Sequence, residues 1–248
     1  MAEQSSKLNI IKNRERSESE SDEENEKVVS DLEGTAEEEK LPYDPAEAMI
    51  RKGFRYFMEH NYDPSVGHGQ YPKFLVFSCS DSRVSPSNVL NFQPGEAFMM
   101  CHIANLVPAF NQLNYSGVGA VIEYAVKVLK VKNILVIGHR DCGGIKALMD
   151  LPDDGSTSHD FIEDWVKIGL PAKAKVLAEH PNLPPNEQCY ICEKEAVNLS
   201  LVNIKSYPYV RSAMANNNLT LRGGYYDFVN GTFQLWKINY EITDPKYI

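Results

Sequence analysis

Apolar positions along the chain alternate between two rhythms. The stretch "PAEAMIRKGFRYFMEH" places Met49, Phe54, Phe57 and Met58 at helical spacing, which predicts an amphipathic helix near 45–59. Continuous apolar runs then predict buried strands at 73–79 ("KFLVFSC") and 97–103 ("AFMMCHI"). The segment 115–130 ("YSGVGAVIEYAVKVLK") reads as a helix, and 133–139 ("NILVIGH") as a third strand. Helices near 159–179 and 190–216 follow, and two late strands, "LTLRGGYYD" and "TFQLWKINYEI", close the pattern. Unbroken apolar strands separated by helices predict an α/β fold, with a mostly parallel central sheet flanked by helices and an N-terminal helical arm. In such sheets ligand sites gather beyond the carboxyl ends of the strands. Cys79 and His139 both fall there.

Composition and charge divide the 248 residues in two. Residues 1–40 hold 13 acids against 6 bases and are poor in aromatics. Such a segment cannot bury enough apolar surface to offset chain entropy, so it is read as a disordered acidic tail. Pro42 and Pro45 mark the start of a folded domain over 41–248, which is close to neutral. No basic face is evident, so nucleic acid is not expected as a partner. No apolar run reaches the roughly 18 residues of a membrane span. The N-terminus lacks the apolar core of a secretory signal, and its acidity is unlike a transit peptide, so a cytoplasmic location is expected, with an organellar one open to a processed form. Five cysteines, an odd number, fit a reducing compartment in which thiols serve as core residues or metal ligands.

Two stretches carry chemistry. In "FSCSDSRVSP" (77–86) a strand ends on Cys79, followed by Asp81 and Arg83; in "VIGHRDCGGIKAL" (136–148) His139 ends a strand and Cys142 opens a helix. His-x-x-Cys lets two ligands converge, and a thiolate from a neighbouring strand end supplies a third. Two sulfurs and an imidazole suit tetrahedral zinc with one position left for water or substrate. Spacing alone leaves a second reading open, two core thiols and a capping histidine. A phosphate-loop reading is weaker, because Gly144 and Ile145 stand where lysine and a hydroxyl residue belong. Asp81 could cap the helix near Ser85, or act beside the metal with Arg83 holding it ionised by a bidentate pair.

The motifs "CSDSRVSPS", "FQPGEAF", "IANLVP", "GVGAVIEYAV", "VIGHRDCGGIKAL", "CEKEAVN" and "GGYYDFVNGTFQLW" resemble the plant-type beta-class carbonic anhydrases over about residues 45–240. The resemblance implies reversible hydration of carbon dioxide to bicarbonate and a proton. It implies Zn2+ held by Cys79, His139 and Cys142, and a catalytic dyad of Asp81 and Arg83. An apolar substrate pocket at Phe98, Ile103 and Tyr124 follows from it, as does Gln70 reaching the neighbouring active site across a dimer or higher homo-oligomer. The chain departs from the pattern where Cys101 and His102 replace the usual Arg-Asn; Cys101 is expected to be a core thiol. Adjacent strand residues point to opposite faces, so those two cannot chelate together. The C-x-x-C pair Cys189 and Cys192 is read as structural, and no histidine is assigned as proton shuttle. Two rival readings are a carbonyl sulfide or carbon disulfide hydrolase on the same fold, and a non-catalytic binding or signalling protein.

Overall fold

The computed structural model describes residues 44–111, 114, 116–152, 156, 158–238 and 245–248, and divides into a unit ending at His60 and a second over Asn61–Ile248. The predicted disordered tail, 1–40, lies outside the described residues.

The first unit is helix α1, Pro45–His60. Asp44 Oδ1 accepts from the Ala46 amide at 2.8 Å, and Glu47 pairs with Arg51 one turn on at 2.7 Å. The helix lies where its periodicity predicts, yet Met49, Ile50, Phe54 and Tyr56 are all more than half exposed.

The second unit is built on a six-stranded sheet in the order β2-β1-β3-β4-β5-β6. Its strands are β1 Phe74–Cys79, β2 Ala97–His102, β3 Asn133–His139, β4 Thr220–Asp227, β5 Thr232–Ile238 and β6 Lys246–Tyr247. The first four in spatial order run parallel, while β5 and β6 are antiparallel. The sheet is thus mixed, because only four residues connect β4 to β5, too few for the crossover a parallel pair requires. Asp227 Oδ1 accepts from the Val229 and Asn230 amides there, and Gly231 takes φ 63° to complete the reversal.

Strand alternation assigns the two faces. Leu75, Phe77, Ile134 and Val136 pack with Val197, Leu201 and Ile204 of α7 (Pro185–Lys205) and Val118 and Ile122 of α3 (Ser116–Glu123). Val76, Leu135 and Ile137 face the other way, toward Val89 and Leu90 of α2 (Pro86–Leu90) and Phe92. Burying each such side chain contributes about 1.5–3 kcal/mol before entropy is subtracted. A third apolar cluster forms beyond the strand ends, where α4 (Gly143–Met149), α5 (Ile162–Val166), α6 (Leu170–Glu179) and α7 meet around Cys79 and Cys142. Gly138 of β3 permits the close approach of α7, because a Cβ there would come within 2.7 Å of Val197 Cγ2.

The long helices differ from expectation in detail. The predicted helix 115–130 becomes α3 followed by a π-turn, Tyr124–Val128. That over 159–179 is split by a 3-10 turn, Lys167–Gly169, ahead of Pro171. That over 190–216 starts earlier, at Pro185, and breaks before α8 (Pro208–Ala215), because Pro208 forces Tyr207 into an extended conformation.

Candidate metal centre

Parallel pairing of β1 and β3, with Ser78 opposite Ile137, brings their carboxyl ends side by side. Cys79 is the last residue of β1, His139 the last of β3, and Cys142 the N-cap of α4. A left-handed Asp141 (φ 52°) turns the chain back so that Cys142 faces His139. The Cys79 and Cys142 sulfurs and a His139 ring nitrogen lie within 4.8 Å of one another, and all three residues are buried. His139 Nδ1–H donates to the Arg140 carbonyl at 2.8 Å, which fixes the tautomer and leaves Nε2 a free lone pair. That Nε2 is a buried polar atom with no hydrogen-bond partner. Two sulfurs and an orphaned imidazole nitrogen are the donor set zinc prefers, and three such donors would leave a fourth position for water or substrate.

The electrostatics fit the same ion. The Cys142 thiol donates to Cys79 and lowers its pKa, whereas the Cys79 thiolate and burial together raise that of Cys142. Burial lowers the His139 pKa, but the neighbouring Cys79 thiolate turns the net shift upward. Two thiols so close share one proton, which a dication bound there would release. The loop is held from behind by Glu193 of α7, a residue of the "CEKEAVN" motif to which the sequence assigned no role. Its Oε1 accepts from the Cys142 amide at 3.0 Å and its Oε2 from the Tyr225 hydroxyl at 2.6 Å.

Asp81 and Arg83 form the bidentate pair expected from sequence. Arg83 Nε donates to Asp81 Oδ1 at 2.9 Å and Nη2 to Oδ2 at 2.7 Å, while the Arg83 amide donates to Oδ1 at 3.0 Å. The guanidinium also stacks 4.2 Å from the Phe228 ring centre. The Arg83 hydrogen bond holds the Asp81 carboxyl well below the usual carboxylate range. Helix capping is not its role, since the N-cap of α2 is Ser85. Cys79 and Asp81 open onto a cavity of about 600 Å³ that Ile103, Gly143, Gly144, His159 and Glu163 also line. Its wall is tight at Gly144, where a Cβ would meet Ile103 Cγ2 at 2.6 Å and Ala104 Cβ at 2.8 Å.

The carbonic anhydrase family matches residues 74–233. Beta carbonic anhydrase 3 of Arabidopsis thaliana is 48% identical over 218 residues, which cover 84% of each chain. The chain belongs to the beta-carbonic anhydrase family. The solved structure of the beta-carbonic anhydrase CcaA matches with a TM-score of 0.73 and 26% identity, over 82% of this chain and 93% of that one. One of two tetrameric beta-carbonic anhydrases from Sordaria macrospora matches at 0.65 and 27%, over 77% and 93%. The chain is a carbonic anhydrase, a lyase of a family that hydrates carbon dioxide.

The remaining residues of the carbonic anhydrase pattern are only partly gathered. Phe98 and Tyr124 pack ring to ring at 5.8 Å and do not line the cavity with Cys79; Ile103 does. Ile103 also lines a neighbouring apolar cavity of about 590 Å³ with Met100, His102 and Trp165. Gln70 is exposed in the loop before β1 and lines neither. Cys101 is not a core thiol. It is exposed, because β2 is the edge of the sheet, and its sulfur lies 3.1 Å from Ser78 Oγ. His102 instead turns inward, its ring 5.1 Å from Trp165, and burial lowers its pKa. Cys189 and Cys192 lie on α7 with free thiols, which burial raises to about 11 and about 12. Thiols kept protonated are poor nucleophiles, in line with a structural role.

Proposed function

We propose that this chain catalyses zinc-dependent, reversible hydration of carbon dioxide, with Cys79, His139 and Cys142 as metal ligands and Asp81 and Arg83 as the catalytic dyad. The observation that carries this reading is the buried three-donor cluster with an Arg-clamped carboxylate opening onto the same cavity. Zinc held there would supply a water acidified from about 16 to about 7, a nucleophile at neutral pH. Asp81, kept ionised by Arg83, accepts the hydrogen of the attacking water and so aims its lone pair at carbon. Arg83 is fixed by Asp81, the Asp141 carbonyl at 3.4 Å and the Phe228 ring, so the carboxylate is not free to swing. Ile103 gives the cavity an apolar wall suited to a non-polar gas. Gln70 from a second copy donates to the substrate oxygen as negative charge grows there. The enzyme works as a homodimer or larger assembly, in a reducing compartment such as the cytoplasm that keeps its thiols free.

The test pairs elemental analysis with a carbon dioxide hydration assay on the purified full chain. One zinc per chain and turnover on carbon dioxide far above that on carbonyl sulfide are expected. Cys142→Ser should lose metal and activity together. Full zinc occupancy with normal turnover in that variant would remove the site as drawn.

A further inference from the structure

Each hydration leaves a proton in the cavity, and the dyad cannot carry it away. Asp81 is committed to Arg83 through both carboxylate oxygens and is held far below the usual carboxylate range. Carboxylates in general bind protons too weakly to carry them at neutral pH, whereas imidazole changes charge between pH 5 and 8. Among the described residues that line the cavity with Cys79 and Asp81, one carries an imidazole, His159.

His159 is held in a way that suits proton transfer. Its Nδ1 lies 2.8 Å from Glu163 Oε1 and 3.0 Å from Ser158 Oγ. Glu163 also accepts from the Ser158 amide at 3.0 Å, the Ser158 hydroxyl at 2.8 Å and the His159 amide at 3.2 Å. The carboxylate thus ties this loop to the start of α5 and takes the Nδ1–H, which leaves the Nε2 lone pair as the acceptor. The two partners differ in exposure. The Glu163 side chain is 10% exposed, while that of His159 is 58% exposed, so the ring borders both the cavity and bulk water. The His159 hydrogen bond lowers the Glu163 pKa to about 2, so this partner stays ionised throughout the working range. The other charged groups that line the cavity are Asp81 and Asp150, the latter at the end of α4, and Asp160 follows His159 in the chain. All are acids, and no Lys or Arg lines the cavity among the described residues.

We propose that His159, oriented by Glu163, is the proton acceptor that carries the product proton from the catalytic cavity to solvent. The inference rests on the hydration reading above. In the step, an O–H bond of the attacking water breaks and the proton passes through cavity water to form an N–H bond at Nε2. The resulting imidazolium gives that proton to a buffer base at the mouth and returns to its starting tautomer. Nothing is oxidised or reduced. Glu163 takes no proton and acts as a positioning residue.

The test uses the full-length, zinc-loaded enzyme and its His159→Ala variant. Proton export follows formation of bicarbonate, so its loss should appear in kcat and not in kcat/KM. In weak buffer kcat should fall at least about tenfold, kcat/KM should stay within about twofold, and added imidazole should restore kcat. A readout independent of turnover is 15N NMR of ring-labelled histidine, with and without zinc. It should show His159 as the Nδ1–H tautomer, with that preference lost in Glu163→Ala. Unchanged kcat in weak buffer, equal unrescued losses in kcat and kcat/KM, or a dominant Nε2–H tautomer would each overturn the proposal. A zinc-loaded wild-type enzyme without hydration activity would overturn the underlying reading and this inference with it, whereas an active wild type with an unaffected variant overturns the inference alone.

Discussion

At the scale of single residues, the pair Asp81 and Arg83 shows how two side chains become one functional unit. Asp81 receives three hydrogen bonds from Arg83 alone, so the carboxylate depends on Arg83 for its position. Asp81→Asn keeps the shape but replaces an ionised acceptor with an amide that can present a donor to the attacking water. Arg83→Ala releases the carboxylate to swing onto the open metal position. Each single change should cut turnover at least about tenfold with zinc still bound. Groups that act as a unit are strongly non-additive when removed, so the double variant should be little worse than the poorer single one. Stopped-flow hydration assays with metal analysis make this comparison; independent, multiplying losses would place Arg83 in the fold or an interface instead. A second residue-scale expectation concerns pH. Glu163 is lowered from 4.5 to about 2, chiefly by its bond to His159. The unfolded chain therefore binds more protons between those values, and stability drops as pH falls through that window. Denaturation midpoints of Glu163→Gln should depend less on pH there than those of the wild type.

At the scale of elements, the site depends on how α7 grips the loop between β3 and α4. Glu193 bridges the Cys142 amide and the Tyr225 hydroxyl, so one helix residue ties a proposed metal ligand to a neighbouring strand. Glu193→Ala would leave both donors buried and unpaired, at about 1–3 kcal/mol each, and should weaken zinc binding about 10–100-fold. Competition with a chelator of known affinity measures this, and an unchanged zinc affinity would reduce Glu193 to a packing role. Glu193 fell within the quoted motif "CEKEAVN" but received no role, because its contacts come from packing α7 across the sheet. His159 and Glu163 are only four residues apart, but their place on the cavity with Cys79 comes from the tertiary fold, so they escaped as well. Cys79, His139 and Cys142 were legible as one candidate cluster, because strand ends and a three-residue spacing are local features and parallel pairing then aligns them; spacing alone left two core thiols and a capping histidine open. The strands were legible as apolar runs, whereas the break ahead of Pro208 was missed, because the helix was read straight through 190–216. Strand order was not legible, because pairing is non-local. That is why Cys101, read as core, lies exposed on an edge strand.

At the scale of the whole molecule, several features fit a chain that works with a copy of itself. Strand β2 leaves one sheet edge unpaired among the described residues, an arrangement that invites pairing with another chain. Apolar side chains of α1 are exposed, and Gln70 stands free of the cavity it is proposed to serve. If Gln70 acts across a two-fold axis, each active site draws its metal ligands from one copy and its glutamine from the other. Gln70→Ala and Cys142→Ser would each damage every site of a pure dimer, the first through the oxygen donor and the second through the metal. A hybrid dimer of the two differs. The Gln70→Ala copy keeps its three ligands and receives an intact Gln70 from the Cys142→Ser copy, so one site is complete. The opposite site lacks both. With random pairing of equal amounts, half the dimers are hybrids and each carries one complete site of two, so co-expression should recover about a quarter of wild-type turnover. Sedimentation of the same samples should show a dimer or a multiple of it. Turnover in the mixture no higher than the average of the two pure variants would mean that Gln70 acts within its own chain or not at all.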